Sequence, residues 1–398
     1  MGSRVCGGMT ARKRTSRKSG VAARQAHRFV ERLLGGDVHA KRVLSIGNAV
    51  AGIMYAAALS IHAIGQGLAA ANGTNPRHGV KQVDRLLSNR KLDVWDVFRL
   101  WVPFVVGGRT EVVVALDWTE FDGDGQSTIA AHMVTRHGRA TPLVWKSAPK
   151  ETITDGERND LEDDVLMRLH EVMPAGVEVT ILADRGFGDT KLYEYLDRIG
   201  WKYVIRFRGC IYVRDEAGTL RTAQEWLHQS GRARMIRKAR VTAKEYKTHV
   251  VCVHAKGMKD AWFLATNCGG RTATQVVKLY GRRFSIEETF RDLKDARYGL
   301  GLSSTHIRRP DRRDRLVFLF AITHALLTLL GAASEATGLD RMLKVNTSKR
   351  RTHSLFRQGA YWFSAIPNMP DERLRMLMQA FDSIVAEHAV FREIFGVL

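Results

Sequence analysis

Three carboxylates and one run of polar residues are the parts of this chain best equipped for chemistry. Asp117 follows the apolar run VVVAL (112–116) and Asp184 follows VEVTILA (177–183), so each is expected at the end of a buried strand. On neighbouring central strands of a mixed sheet, two such carboxylates come close enough to repel unless divalent cations bind between them. Hard oxygen donors favour Mg²⁺ or Mn²⁺. The third candidate lies in YGRRFSIEETFRDLK (280–294). On a continuous helix turning about 100° per residue, Tyr280, Arg283, Glu287 and Lys294 share an arc of about 60° and form one polar stripe. Glu288 lies about 100° from Glu287, off the stripe, while Ile286, Phe290 and Leu293 form an adjacent apolar face for docking on a sheet. Glu287 is therefore the better third ligand. Asp122 and Asp124, in FDGDG, read as a turn, because Gly123 and Gly125 carry them away from the strand.

Positioning these residues calls for an α/β fold. After VVVAL, the runs STIAAHMV (127–134) and ATPLVWKSA (140–148), separated by Arg136-His137-Gly138, predict a three-strand antiparallel meander. Helical spacing over 157–173, a buried strand at 177–183, a short helix at 190–199 and the strand YVIRF (203–207) follow. Three strands, then helix, strand, helix, strand is the order of a ribonuclease-H-like mixed sheet flanked by helices. Residues 208–270 read as a β-rich insertion with a basic surface (Arg232, Arg234, Arg237, Lys238, Arg240, Lys244, Lys247). Five further segments follow from the same patterns: a basic disordered arm (1–21), an N-terminal helical DNA-binding domain (22–107), the two parts of the core (108–207 and 271–340) and a C-terminal helical region (341–398).

Charge points to the partner. Lys and Arg outnumber Asp and Glu by 62 to 41, a net charge of +21 that draws polyanions, and residues 1–30 carry eight basic side chains and no acidic one. Nucleic acid is the expected partner. Cys6, Cys210, Cys252 and Cys268 are too scattered for a disulfide framework, and the His249, Cys252, His254 and Cys268 group reads as ordinary strand residues rather than a zinc site. Residues 316–334 carry no formal charge, but His324 lies mid-span and both flanks are charged, so a core helix is expected and no membrane association. With no signal peptide evident, the expected location is the cytoplasm, near the nucleoid.

The spacing of Tyr280, Arg283, Glu287 and Lys294 resembles the Y-x2-R-x3-E-x6-K signature of one group of DDE-class insertion-sequence transposases. Asp117 in DWT and Asp184 in DRGFG resemble the other two carboxylates of that family, and the likeness runs from about residue 50 to the KRRTHSLFRQG segment (349–359). The resemblance implies that Asp117, Asp184 and Glu287 hold two Mg²⁺ or Mn²⁺ ions. It also implies that Tyr280, Arg283 and Lys294 grip backbone phosphates, and that Trp262, in WFLAT, stacks on a base flipped out near the element's end. It further implies double-stranded DNA as partner, element ends and target alike, with cleavage and strand transfer at terminal inverted repeats by a homodimer in the synaptic complex. The rival expectations are a ribonuclease-H-like nuclease without strand transfer and a non-catalytic DNA-binding regulator.

Overall fold

The computed structural model describes residues 24–386; the expected basic arm at 1–21 and the last twelve residues of the expected C-terminal region lie outside the described residues. Five helices come first: α1 (24–34), α2 (Ala40–Ala56), α3 (Ile61–Asn72), α4 (Pro76–Leu87) and α5 (Val94–Val106). Side-chain oxygens of Ser60, Asn75 and Asp93 cap the starts of α3, α4 and α5. These helices share one hydrophobic core with the sheet: Phe98 of α5 meets Trp145 at 4.7 Å between rings, and Trp101 Nε1 donates to the Pro142 carbonyl.

Ten strands form one mixed sheet. β1 (Glu111–Phe121), β2 (Gln126–Val134) and β3 (Ala140–Pro149) are an antiparallel meander, and α6 (Asp155–Val172) leads to β4 (Glu178–Ala183), which lies parallel to β1. α7 (Thr190–Arg198) leads to β5 (Lys202–Arg206), parallel to β4. The next strands are β6 (Tyr212–Arg214), β7 (Leu220–Thr222), β8 (Arg234–Val241), β9 (Tyr246–Val253) and β10 (Trp262–Thr266). They extend the same sheet, since β10 pairs antiparallel with β5, giving the order β3-β2-β1-β4-β5-β10-β9-β8-β6-β7. Val112 to Leu116 and Val179 to Ala183 are buried, each large apolar side chain contributing about 1.5–3 kcal/mol on leaving water.

The run from 273 to 294 is not the single helix its spacing predicts. α8 (Ala273–Gly281) and α9 (Ser285–Lys294) are joined by a 3₁₀ turn through Arg282–Phe284, next to Gly281, a weak helix former. Behind them α10 (Pro310–Ala336) runs through the core and packs on α11 (Leu355–Ala365) and α12 (Asp371–Ala386). Its composition would let it cross a membrane, but 94% of its most apolar window is buried inside the fold, as in a core helix.

Between this helix layer and the sheet, burial pushes the imidazoles of His132 and His137 down to about 3. Both are therefore neutral when folded, whereas an unfolded histidine titrates near 6.5. The stability this contributes is present above the unfolded value and lost as pH falls below it. Lowering pH from 7 to 5 should cost about 2 kcal/mol per buried histidine. Urea unfolding at the two pH values measures the loss, and His132→Leu should remove one histidine's share of it; an equally steep loss in the variant would contradict this assignment.

Candidate active site

Leu116 of β1 stands opposite Ala183 of β4, so the next residues, Asp117 and Asp184, emerge side by side at one edge of the sheet. Asp117 is not at the end of its strand. β1 continues four residues further because β2 goes on pairing with it, Asp117 with Ala130 through Phe121 with Gln126, after β4 has stopped. The Asp117 carboxylate accepts from the Trp118 N–H at 2.9 Å. Asp184 does end its strand and accepts from the Gly186 N–H at 2.8 Å. A Cβ on Gly186 would come within 3.1 Å of the Asp184 carboxylate, so glycine there keeps the space beside that oxygen open.

Arg283 is the centre of this arrangement. Its side chain is 7% exposed, and its two terminal nitrogens donate to Asp117 Oδ2 at 2.7 Å and to Glu287 Oε1 at 2.6 Å. Burial opposes the guanidinium's charge, but Asp117, Tyr280 and Glu287 more than offset it and hold the arginine above its ordinary value. Asp117 is pushed up to about 6, first by burial, then by the charges of Asp184 and Glu287, with Arg283 and the Trp118 N–H acting in the opposite direction. Glu287 thus shares a counter-charge with Asp117, whereas Glu288 pairs with Arg139 and Arg291.

The polar stripe expected on a continuous helix is therefore corrected. The 3₁₀ turn advances faster per residue than an α-helix and brings Arg283 inward between the carboxylates. Tyr280 is 1% exposed, and its ring packs edge-on against Trp262 at 5.0 Å. Trp262 itself is half-buried and lies 6.0 Å from the partly exposed Phe284. Lys294 is half-buried at the far end of α9, where Nζ donates to the Glu120 carbonyl at 2.6 Å and reaches Thr119 Oγ1 at 3.3 Å.

Among the described residues, no three His, Cys, Asp or Glu side chains gather closely enough to hold a metal ion together. The donor chemistry nevertheless suits a hard divalent cation: the carboxylates come from β1, the end of β4 and α9, and Asp117, held up first by burial, is raised further by the charges of Asp184 and Glu287. Arg283 takes one oxygen of Asp117 and one of Glu287 and so competes with a cation for both carboxylates. Nothing in the spacing of the sequence signalled this internal counter-charge except the i,i+4 relation of Arg283 and Glu287.

Residues 108–326, more than half of the chain, match the family described as Transposase DDE domain. No curated protein matches the chain.

Proposed function

We propose, from the premise that this chain belongs to the family of transposase DDE domains, that Asp117, Asp184 and Glu287 are its catalytic carboxylates and would hold two Mg²⁺ or Mn²⁺ ions. The reaction is DNA cleavage at the terminal inverted repeats of an insertion sequence, followed by strand transfer. What carries the reading is that Asp117 and Glu287, distant in sequence, share one buried guanidinium beside the strand end that bears Asp184. The order β3-β2-β1-β4-β5, three antiparallel strands and then two parallel ones, supports a ribonuclease-H-like core interrupted over 208–270 before the glutamate helix.

When bound, a pair of divalent ions would supply charge to the attacking and leaving oxygens of an in-line displacement. The chain's own part is to fix geometry. Adjacent strands in register hold Asp117 and Asp184, and the docked apolar face of α9 holds Glu287 beside them. Arg283 and Lys294 grip backbone phosphates, with the buried Tyr280 ring behind Arg283, and a phosphate that draws Arg283 away frees the oxygens of Asp117 and Glu287 in the same movement. Trp262 stacks on a flipped base next to Tyr280. Hydrolysis frees a 3′-hydroxyl, which then attacks the opposite strand or target DNA. The helices of 22–107 bind the duplex, two copies hold two element ends, and the protein works at the nucleoid in the cytoplasm.

The test is a joining assay. Duplex DNA carrying the repeats that flank the gene, pre-cut to expose its 3′-hydroxyl, should be joined to a supercoiled plasmid in Mg²⁺. Cutting of the intact end without joining of the pre-cut one would leave a nuclease; neither reaction would leave a DNA-binding regulator.

A further inference from the structure

Beside the carboxylates, one strand further along the sheet, lies a cleft of about 720 Å³ lined by Arg185, Arg208, Cys210, His254, Lys259 and Asp260, among others. It opens where β5 ends and β10 begins. β5 runs parallel to β4, so this is the same edge of the sheet from which Asp184 emerges, and Arg185 is the residue after Asp184. We propose that the cleft holds the sugar-phosphate backbone of the DNA strand that passes Asp184, a few nucleotides from the bond being cut. This rests on the reading of Asp117, Asp184 and Glu287 as the cutting site.

Charge carries the argument first. Arg185, Arg208, His254 and Lys259 are exposed, and none has an ion-pair partner among the described residues; Asp260 is the one lining carboxylate among them. Other cations of the sheet are in part engaged: Lys202 pairs with Glu178, Arg214 with Glu245 and Lys238 with Glu216, while Arg221 and Arg234 lie over the Trp226 ring and Arg237 donates to the Gly269 carbonyl. Arg206, which also lines the cleft, donates to the Ala261 carbonyl and belongs to its wall. Arg185, Arg208 and Lys259, unmatched and leading away from a phosphodiester-cutting centre, are complementary to a polyanion, and binding through them releases counterions from that polyanion.

Shape carries it second. At Gly209 the backbone passes close to the Phe263 ring, because Gly209 has no Cβ: one placed there would come within 2.7 Å of the ring. Phe263, which also lines the cleft, thus backs the chain at Gly209, next to Arg208. The volume falls in the range of roughly 300–1,000 Å³ that takes a compact ligand, enough for a short stretch of one strand rather than a whole duplex.

Two measurements on the full-length chain test this. In the first, Arg208→Gln with Lys259→Gln is compared with Arg373→Gln with Arg375→Gln on α12, outside the cleft, using a fluorescein-labelled duplex titrated over a range of salt. Loss of two phosphate contacts should flatten the plot of log affinity against log salt by about 1.8 in the cleft variant only. In the second, Cys6 is replaced by Ser and the exposed Cys210 carries an aryl azide, Cys252 and Cys268 being buried. Illumination should link Cys210 to DNA. With element end and target plasmid carrying different dyes, the linked dye tells which of the two supplies the backbone. An unchanged slope, a change equal to that of the α12 control, or no crosslink overturns the proposal, as does crosslinking lost to an acidic protein competitor while the slope is unaffected. Cutting in Mg²⁺ is read separately, so a chain that crosslinks but cuts nothing would sink the transposase reading and leave the cleft standing.

Discussion

Alanine in place of Asp117, Asp184 or Glu287 should lower DNA cutting and joining by about a thousandfold or more, roughly 4 kcal/mol of transition-state stabilisation, while DNA affinity is undiminished. The separation follows from where each energy comes from. Affinity rests on a net charge of +21 spread over the chain, and removing one carboxylate makes that charge larger. Under the proposed function, cutting rests on Asp117 and Asp184 from adjacent strands and Glu287 from α9. Ca²⁺ should support binding with little cutting, since its looser coordination places oxygens less exactingly.

The three variants should also differ in a way that identifies the site. Asp184 accepts from the Gly186 N–H and pairs with no cation among the described residues, so its loss should disturb the fold least. Removing Asp117 relieves a carboxyl that burial holds up at about 6, but leaves the buried Arg283 with Glu287 alone. Asp117→Asn keeps the shape of the side chain and separates loss of charge from loss of packing. End binding by mobility shift, cutting of labelled ends in Mg²⁺ and thermal melting would be measured on each. A Glu287→Ala protein that cuts and joins at the parent rate would sink the assignment.

What could be read beforehand was what repeats locally. Period-two and buried-strand runs identify β1 to β5, because alternation between faces is a property of the strand itself. What that reading does not contain is whatever depends on a distant partner. β1 continues past Asp117 only because β2 keeps pairing with it, and β7 is three residues with no apolar pattern, held by its hydrogen bonds to β6. The burial of Tyr280 and Arg283 depends on a tight turn at 282–284 and on Trp262 and Asp117, which come from other parts of the chain. A helical wheel drawn on continuous α geometry contains none of those partners.

Asp124 is the strongest case of this kind, and its replacement by alanine should cost about 3–5 kcal/mol of stability. The FDGDG segment does make a turn, Asp122–Asp124 in 3₁₀ form, but the two aspartates in it differ completely. Asp122 is 84% exposed and meets Lys150 at the surface. Asp124 is 7% exposed and receives Arg313, whose side chain is 0% exposed, together with the Ile307 N–H at 3.0 Å. Burial alone would raise the Asp124 carboxyl; the Ile307 N–H and Arg313 more than offset it and hold it below its ordinary value. Arg313 also donates to Gln126 Oε1 at 2.8 Å and lies over the Phe121 ring at 3.9 Å, so the pair ties the β1–β2 hairpin to the start of α10. Without Asp124 that guanidinium stays buried without its hydrogen-bonded carboxylate, left with the weaker electrostatic pull of Asp314, which is the costly half of breaking a buried pair. Replacing both partners by apolar residues of similar size, Asp124→Leu with Arg313→Met, should recover much of the loss, because no unpaired charge remains. Urea unfolding of Asp122→Ala, Asp124→Ala and the double variant decides it: if Asp124→Ala is no less stable than Asp122→Ala, the pair does not anchor the hairpin that carries Asp117 into the site.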